Sequence, residues 1–497
     1  MTDHVELRRG TYVDSVSLMQ VSRQVAATPG LTAAQVAMAT ELNLELLAGM
    51  GFDIPAEAVP NDLVVALRSD NQAGVEAGLA AVEAALASLK TAGAGAGGFG
   101  EAPQPRTLGR AVRAGGATLA LVSVPGQHAT VEALDAIESG VSVMVFSDNV
   151  PVVDEIRLKD AAREQGVLVM GPDCGTAVVG GVALGFANVV GHGSVGIVAA
   201  SGTGAQQVMC LLDAAGAGVS HCLGVGGRDM SAEVGGRSTR QALEALAHDE
   251  STSSIIVVSK PPAEDVLAEI EAFASALPVP VHWAMLGPGR EDLTAAVERA
   301  LATDGHPVPA WPSRPAPQVS ASGGALRGLF CGGTLADEAM LIAAEKLGGI
   351  MSNIPLSPEL ALGSDLRADS HLVIDFGDDQ MTQGRPHPMI DPGLRLERIA
   401  EEARDPRCGV LLLDLVLGHG AHPDPAGELG TAISSARATA QADRRELPVV
   451  VSLTGTEGDP QGFTTCMGVL HEAGASVFLS NAQATRHALS LLPSQEI

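Results

Sequence analysis

At 497 residues the chain has room for about three or four domains, and its 46% hydrophobic against 2% aromatic content means cores built from Ala, Val, Leu and Ile. A net charge of −28 excludes nucleic-acid backbone binding, which needs clustered Lys and Arg, and the single Arg8-Arg9 pair does not supply them. Six dispersed cysteines (Cys174, Cys210, Cys222, Cys331, Cys408, Cys466) form no C-x-x-C pair and so mark neither a zinc site nor a disulfide framework, which fits a reducing cytoplasm.

No apolar h-region follows the acidic start at Asp3 and Glu6, so no secretory signal is expected. The stretch 174–212 has no Asp, Glu, Lys or Arg, but glycines, Asn188, His192 and Gln206-Gln207 interrupt it. No apolar run of membrane-spanning length survives, and a buried central strand with flanking turns is the expectation.

Residues 1–90 read as a small α/β unit. A helix starts near Asp14 or Ser15 as N-cap, 62–68 is a strand, and 72–90 is an Ala-rich helix. The order suggests β-α-β-type packing, of which a ferredoxin-like domain is one form. Residues 91–106 are a Gly/Ala/Pro linker.

Residues 107–187 alternate strand and helix: strands at 118–124, 141–146 and 167–170, helices at 131–139 and 153–165. This is a Rossmann-like parallel sheet, whose ligand-binding turns lie at the carboxyl ends of the strands. Those turns hold Pro125, Asn149 and Pro172. No G-x-G-x-x-G follows the first strand, so a nicotinamide cofactor is not indicated.

In 188–303 a buried strand at 195–199 runs into the small-residue turn Ser201-Gly202-Thr203-Gly204 and a helix. The first helical amides have no intrahelical partner, and with the helix dipole they suit a phosphate or carboxylate. Strands at 219–224, 254–259 and 279–285 follow. A linker with five prolines spans 304–325. Residues 326–497 repeat the plan, with a strand and the turn Gly332-Gly333-Thr334, a helix at 336–347, and strands at 371–376, 409–414 and 448–453. Aligning Ser201-Gly-Thr203 with Gly332-Gly-Thr334 sets 254–259 opposite 409–414 and 279–285 opposite 448–453. The expected fold class is therefore α/β: a small N-terminal domain, a Rossmann-like domain and two duplicated flavodoxin-like domains.

The densest cluster of reactive side chains is 377–392, with Asp378, Asp379, Asp391, Arg385 and His387 in a Pro/Gly-rich loop after a strand. Arg385 can grip a phosphate or carboxylate, His387 can move a proton near neutral pH, and Asp378 completes the catalytic set. The competing reading is a rigid turn in which Arg385 pairs with Asp378 or Asp391. Asp414 with His419 and His422, and the polar turn Gly455-Thr-Glu-Gly-Asp-Pro-Gln461, are further candidates. Two His three apart need more convergent ligands before they make a metal site, and none is assigned. His128 and His192 read as ordinary loop residues, and Lys260, just past a strand, reads as a solvated lysine, with contact to an anion the alternative. No G-x-S-x-G elbow, H-E-x-x-H helix or Walker loop is present, so Ser201 is not a catalytic serine.

Val122-Ser-Val-Pro, Glu132-Ala-Leu-Asp-Ala-Ile-Glu-Ser-Gly140, Val150-Pro151, Gly166-Val-Leu-Val-Met-Gly-Pro-Asp-Cys174 and Val195-Gly-Ile-Val-Ala-Ala-Ser-Gly-Thr203 resemble the α subunit of succinyl-CoA synthetase. The resemblance implies CoA on the Rossmann-like domain and a helix start that stabilises a phosphorylated histidine. The Gly-His-Ala-Gly loop carrying that histidine has no counterpart after Val281-His-Trp-Ala-Met-Leu-Gly287, and phosphohistidine chemistry is not carried over.

Over the whole chain, Asp14-Ser-Val-Ser-Leu-Met, Asn61-Asp62, the loop 377–392, Leu413-Asp-Leu-Val-Leu-Gly-His-Gly420 and Gly455-Thr-Glu-Gly-Asp-Pro-Gln461 resemble the FdrA family of acyl-CoA-synthetase-like proteins. That resemblance implies a cytoplasmic, hetero-oligomeric subunit of an oxamate carbamoyltransferase in allantoin and purine-nitrogen catabolism, interconverting oxalurate plus phosphate with oxamate plus carbamoyl phosphate. Its partners would be a small anionic substrate (carbamoyl phosphate, oxamate or an acyl-CoA) and other pathway subunits. CoA or a nucleotide stays open as a ligand. The alternatives are an ATP- and CoA-dependent acyl-CoA synthetase and a non-catalytic CoA-binding scaffold.

Overall fold

The computed structural model describes residues 2–11, 13, 15–55, 57–93, 105–317, 321, 324–382 and 386–493. Asp14, most of the first linker, residues 318–320 and 322–323 of the second, and Arg385 lie outside the described residues. The chain divides into two units, 1–106 with 379–386, and 107–378 with 387–497.

The first unit runs β1 (Thr2–Arg8), α1 (Ser15–Ala26), β2 (Leu31–Met38), α2 (Glu41–Gly49), β3 (Leu63–Ser69) and α3 (Gln72–Gly93). The sheet order is β1-β3-β2, with β3 antiparallel to both neighbours. Two outer strands joined by a crossover helix, with an antiparallel strand between them, make the three-stranded part of a ferredoxin-like domain. Leu63, Val65 and Leu67 pack with Leu18, Val21, Val25 and Val82, while Val64 and Ala66 pack with Leu47 and Phe52. Both faces of β3 are covered, which is why an antiparallel strand reads as an unbroken apolar run rather than an alternating one.

The second unit opens with α4 (Leu108–Gly115), β4 (Leu119–Val122), α5 (Gly126–Glu138), β5 (Ser142–Val145), α6 (Val152–Gln165) and β6 (Val169–Met170), a parallel sheet in the order β4-β5-β6. The hairpin β7 (Thr176–Val179) and β8 (Val182–Gly185) leaves this sheet and pairs with the next one, Val178 standing opposite Cys222. Residues 176–185, expected in the Rossmann-like domain, therefore belong to the sheet that follows.

That sheet contains β9 (His192–Ala200), α7 (Gly202–Ala214), β10 (Val219–Gly224), α8 (Arg237–Ala247), β11 (Ser254–Ser259), α9 (Glu264–Ala274), β12 (Val281–Met285) and α10 (Leu293–Thr303). Its order is β12-β11-β9-β10-β7-β8. The last sheet is built from β13 (Ser313–Arg314), β14 (Ala325–Phe330), α11 (Gly333–Leu347), β15 (Met351–Ser352), β16 (Leu372–Asp375), α12 (Asp379–Thr382, grouped with the first unit), α13 (Gly393–Arg404), β17 (Cys408–Val416), α14 (Pro425–Ala442), β18 (Val449–Thr454), α15 (Phe463–Glu472), β19 (Ser476–Phe478) and α16 (Asn481–Leu491). Its order is β13-β19-β18-β17-β14-β16-β15.

Counted from the strand before each small-residue turn, both sheets have the flavodoxin-like 2-1-3-4 order, β10-β9-β11-β12 and β16-β14-β17-β18. The register carries the duplication to single residues. Ala199 lies opposite Val258, and Leu329 opposite Leu413, so the residue matching Val258 in the second copy is Asp414. The proline stretch between the copies is not a loose tether. Its β13 edges the last sheet antiparallel to β19, and Trp311, 5% exposed, donates from Nε1 to Glu298 at 2.7 Å.

Candidate functional site

Strand order reverses at β9/β11 in the first copy and at β14/β17 in the second, and ligands in open α/β sheets bind at such points. The two reversal points face each other. Ser201 Oγ and Thr334 Oγ1 are 2.6 Å apart, and a Cβ on Gly332 would stand 2.9 Å from the Thr203 side chain. A Cβ on Gly204 would meet Thr334 Cγ2 at 2.9 Å, so the close approach of the two helix starts requires glycine at both places. Two reciprocal contacts fix the pairing farther along. Gln207 on α7 accepts from Asn481 N, the first residue of α16, at 3.3 Å, and Glu338 on α11 accepts from Leu293 N, the first residue of α10, at 2.6 Å. Residues 204–212 of α7 are consequently buried on every side.

The two turns differ in what already occupies them. Ser201 is the N-cap of α7, and its hydroxyl accepts from Gly204 N at 3.0 Å. That leaves the amides of Gly202 and Thr203 outside the cap. In the second copy the Asp414 carboxylate fills the turn, accepting from Cys331 N at 2.8 Å and Gly332 N at 2.9 Å, while Arg395 Nη1 pairs with it at 2.6 Å. The Gly332 amide is thus spent on a side chain of this chain. The amides of Gly333 and Thr334, the first two residues of α11, lie outside these bonds, as those of Gly202 and Thr203 lie outside the Ser201 cap.

Lys260, one residue past β11, keeps 41% of its side chain exposed but is held by an ion pair. Its ammonium is 3.2 Å from Asp337 Oδ2 on α11. A Cβ on Gly333 would lie 2.6 Å from Asp375 Oδ2 and 3.1 Å from Lys260 Nζ, so both side chains converge on the start of α11. Burial alone would lower the Lys260 ammonium, but Asp337 and Asp375 outweigh it and hold its pKa above the ordinary value. Burial raises Asp337 against the pull of Lys260. Asp375, at the end of β16 and 4% exposed, is pushed by burial to about 7, with Lys260 and the Gly377 N–H at 2.8 Å opposing the rise. Asp375 therefore titrates where a general acid–base group works best.

His387 takes a different place from the one expected. Burial, assisted by Arg395, lowers its pKa to about 4, and its ring packs against Phe186 with centroids 5.7 Å apart. Nδ1 accepts from Met389 N at 3.2 Å, so the neutral ring carries its proton on Nε2, toward Gly377. A proton shuttle titrating near neutrality is corrected to a neutral donor. Asp378 is half-buried in the turn after β16, and the exposed Asp391 accepts from Gly393 N at 3.0 Å, shaping the entry to α13.

The other polar turns are tied into the fold by hydrogen bonds. Asp459 accepts from Val189 N, Thr456 N and Asn188 Nδ2, and Gln461 bridges Gly418 and His422, so the turn 455–461 ties the two copies together. His419 is held through its backbone to Ala187. Among the described residues no three His, Cys, Asp or Glu side chains are grouped to hold a metal, and no helix is long and apolar enough to cross a membrane. Pro125, Asn149 and Pro172 stand at the carboxyl ends of β4, β5 and β6. Gly126 packs on the carbonyls of Asp148 and Asn149, and Gly226 packs on the carbonyl of Pro172.

Sequence reading passed over Asp375, Asp337 and Arg395. A signal existed for Asp375 and Asp414, since each is a lone acid in an apolar parallel strand (Leu-Val-Ile-Asp, Leu-Leu-Leu-Asp-Leu-Val), where a charge must be partnered. Arg395 sits in a charged amphipathic helix and carries no such mark.

Residues 1–103 match the family model "AllF, heavy metal-associated domain", and residues 329–491 match "CoA-ligase". The first name raises a metal that the residues do not fit. The segment 1–103 has no Cys and one His, His4, which stands 3.3 Å from Glu6, so a thiolate site cannot form. Among solved structures, the dinucleotide-forming acetyl-coenzyme A synthetase 1 of Ca. Korarchaeum cryptofilum is 16% identical, covering 76% of this chain and 85% of that one at a TM-score of 0.27. "Succinate--CoA ligase [ADP-forming] subunit alpha 2" of Archaeoglobus fulgidus is 29% identical over 154 residues, 30% of this chain and 52% of that protein, so the chain spans about half of it. "Uncharacterized protein YahF" of Escherichia coli (strain K12) is 38% identical over 501 residues, 95% of each chain. With an AllF-type N-terminal domain, a CoA-ligase domain and this end-to-end match, the chain belongs to the FdrA-type family of acyl-CoA-synthetase-like proteins.

Proposed function

We propose that the chain is a cytoplasmic subunit of a carbamoyl-transferring complex of the oxamate carbamoyltransferase type, and that the facing helix starts are its reaction centre. The observation that carries this reading is the convergence of Lys260, Asp375 and Asp337 on the mouth between Ser201 and Gly333, beside helix amides not used in capping. The phosphate of carbamoyl phosphate is held by the Gly202 and Thr203 amides and the Lys260 ammonium. The amide nitrogen of oxamate attacks the carbamoyl carbon, Asp375 takes the proton that nitrogen loses, and the C–O bond to phosphate breaks. The products are oxalurate and inorganic phosphate. In reverse, phosphate attacks the carbamoyl group of oxalurate and Asp375 returns the proton to the departing amide. No covalent histidine is needed, in keeping with its missing loop.

The test is phosphate-dependent cleavage of oxalurate by the purified chain, alone and with the products of its neighbouring genes. Turnover that falls at least about 100-fold in Asp375→Asn and Lys260→Met is expected. Absence of turnover in every combination overturns the proposal.

The match of 329–491 to the CoA-ligase model favours a second reading, an acyl-CoA synthetase with CoA on the turns at Pro125, Asn149 and Pro172. CoA-dependent hydrolysis of ATP by the chain, with none of the carbamoyl reaction, decides for it.

A further inference from the structure

The resemblance to succinyl-CoA synthetase implies CoA on residues 107–187, yet the residues at the carboxyl ends of β4, β5 and β6 do not fit a diphosphate. Dinucleotide-type ligands lie in the crevice where strand order reverses between two βαβαβ halves. Among the described residues this sheet is one half only. It runs β4-β5-β6 in a single direction and stops at β4, where Leu121 is 48% exposed. Strand order reverses nowhere in it, and no such crevice forms.

The seat of a phosphate is also closed. In such folds the diphosphate rests on the amides that open the helix after the leading strand. Here that helix is α5, and its first residue, Gly126, lies so close under the turn after β5 that a Cβ on it would collide with the carbonyl oxygens of Asp148 and Asn149. Two acceptors thus cover the start of α5, where a phosphate needs donors. Helix α6 opens no better, with Asp154 and Glu155 in its first turn. The turns 124–128, 147–151 and 171–176 contain no Lys or Arg, and they expose two acids, Asp148 and Asp173.

Two cations beside these turns are already committed. Arg228, from the first copy, donates from Nη2 to Val150 O in the second turn at 2.8 Å, but its Nε and Nη2 also pair with Glu155 at 3.1 and 2.9 Å. Lys159, with 1% of its side chain exposed, donates to Glu155 and Asp229 at 2.7 Å each and to Val225 O at 3.0 Å. Asp229 in turn accepts from Ser238 N and Thr239 N at 3.1 and 2.8 Å, at the opening of α8. This buried chain of charges fastens α6 to the first copy and leaves neither cation over for a ligand. We infer that the β4-β5-β6 domain holds neither CoA nor a nucleotide diphosphate, and that its buried charges dock it on the first copy. An acyl-CoA reaction at the facing helix starts would then take its CoA from another chain.

Hydrogen–deuterium exchange of the full-length protein, with CoA or ADP at about 1 mM, tests this. Unchanged exchange in peptides covering 124–128, 147–151 and 171–176 is expected, whether or not either compound binds elsewhere on the chain. Protection of any of the three turns overturns the inference. Lys159→Met leaves Glu155 and Asp229 buried with one counter-charge fewer, so exchange in α6 and α8 rises at least about tenfold while β17 and β18 keep their rates. Unaltered exchange in α6 and α8 overturns the docking role. Where that variant does not fold, Arg228→Gln, at a side chain 44% exposed, decides by the same readout. Neither arm depends on turnover, so this inference and the carbamoyl reading stand or fall separately.

Discussion

The first and second flavodoxin-like copies end their leading strands on the same kind of turn, yet one residue separates their chemistry. Below the Ser201 turn the register position holds Val258; below the Gly332 turn it holds Asp414. The valine brings no acceptor to the turn above it. The aspartate, with Arg395 behind it, satisfies the amides of Cys331 and Gly332 from within. Duplication thus yielded one turn braced from below by a carboxylate and one that is not, with Ser201 hydrogen-bonded to Thr334 across the two. Like topology therefore does not fix how a turn is braced; the residue under it decides.

The harshest way to break the comparison is to make the second turn like the first. Asp414→Val strips two backbone donors of their acceptor and leaves the Arg395 guanidinium buried without a counter-charge. Removing one member of a buried pair costs about 3–5 kcal/mol. Urea denaturation should show a midpoint lowered accordingly, with near-native behaviour in Asp414→Asn excluding the ionic part of this account.

Next comes a change that leaves both turns intact and removes the cation between them. Lys260→Met removes the charge opposing the burial of Asp337 and Asp375, so both carboxyls rise further and Asp375 no longer ionises near neutrality. The acid limb of the pH–rate profile for oxalurate cleavage should move to higher pH, alongside the loss of turnover. A profile displaced to lower pH contradicts the assignment of Asp375 as the titrating group.

Much of this plan was legible from patterning, and the misses have physical causes. Strands 219–224 and 254–259 were placed to the residue, because fully buried parallel strands are short apolar runs closed by Gly or Ser. The bounds 107–187 take in residues 176–185, whose hairpin joins the next sheet, since nothing local records that Val178 pairs with Cys222 some forty residues later. The site was half legible. Ser201, Thr203 and Gly333 announce a helix start, and the structure adds the partner that their spacing cannot carry, namely Lys260 at the end of β11, the strand beside β9. His387 stands out in sequence as a histidine in a polar loop, but burial governs its pKa, and its ring packs against Phe186 from far earlier in the chain.

The reciprocal contacts of Gln207 and Glu338 sharpen the comparison through pH. They occupy matching positions and do the same work, but Glu338 is an acid, and burial raises it from its ordinary 4.5 to about 7. Its neutral form suits the fold. The stability it contributes is complete below about pH 4.5 and is lost as pH rises to about 7, an effect on the order of 3 kcal/mol. Glu338→Gln should flatten the fall in unfolding free energy between pH 5 and 7 relative to the native protein. An undiminished slope would place the titration elsewhere.

The mildest change tests whether the first turn is held by its cap or by its neighbour. Ser201→Ala removes the hydroxyl that accepts from Gly204 N and meets Thr334 Oγ1, and loss of a helix cap costs about 1 kcal/mol. The Thr334 hydroxyl, 2% exposed, then loses its partner and adds to the cost. Thr334→Val alone removes the cross-copy bond but leaves the cap. If Ser201→Ala costs more than Thr334→Val, and the double variant costs less than their sum, the two hydroxyls act as one coupled unit spanning both copies. Strict additivity in that cycle means each turn stands by itself, and the facing geometry then owes nothing to this bond.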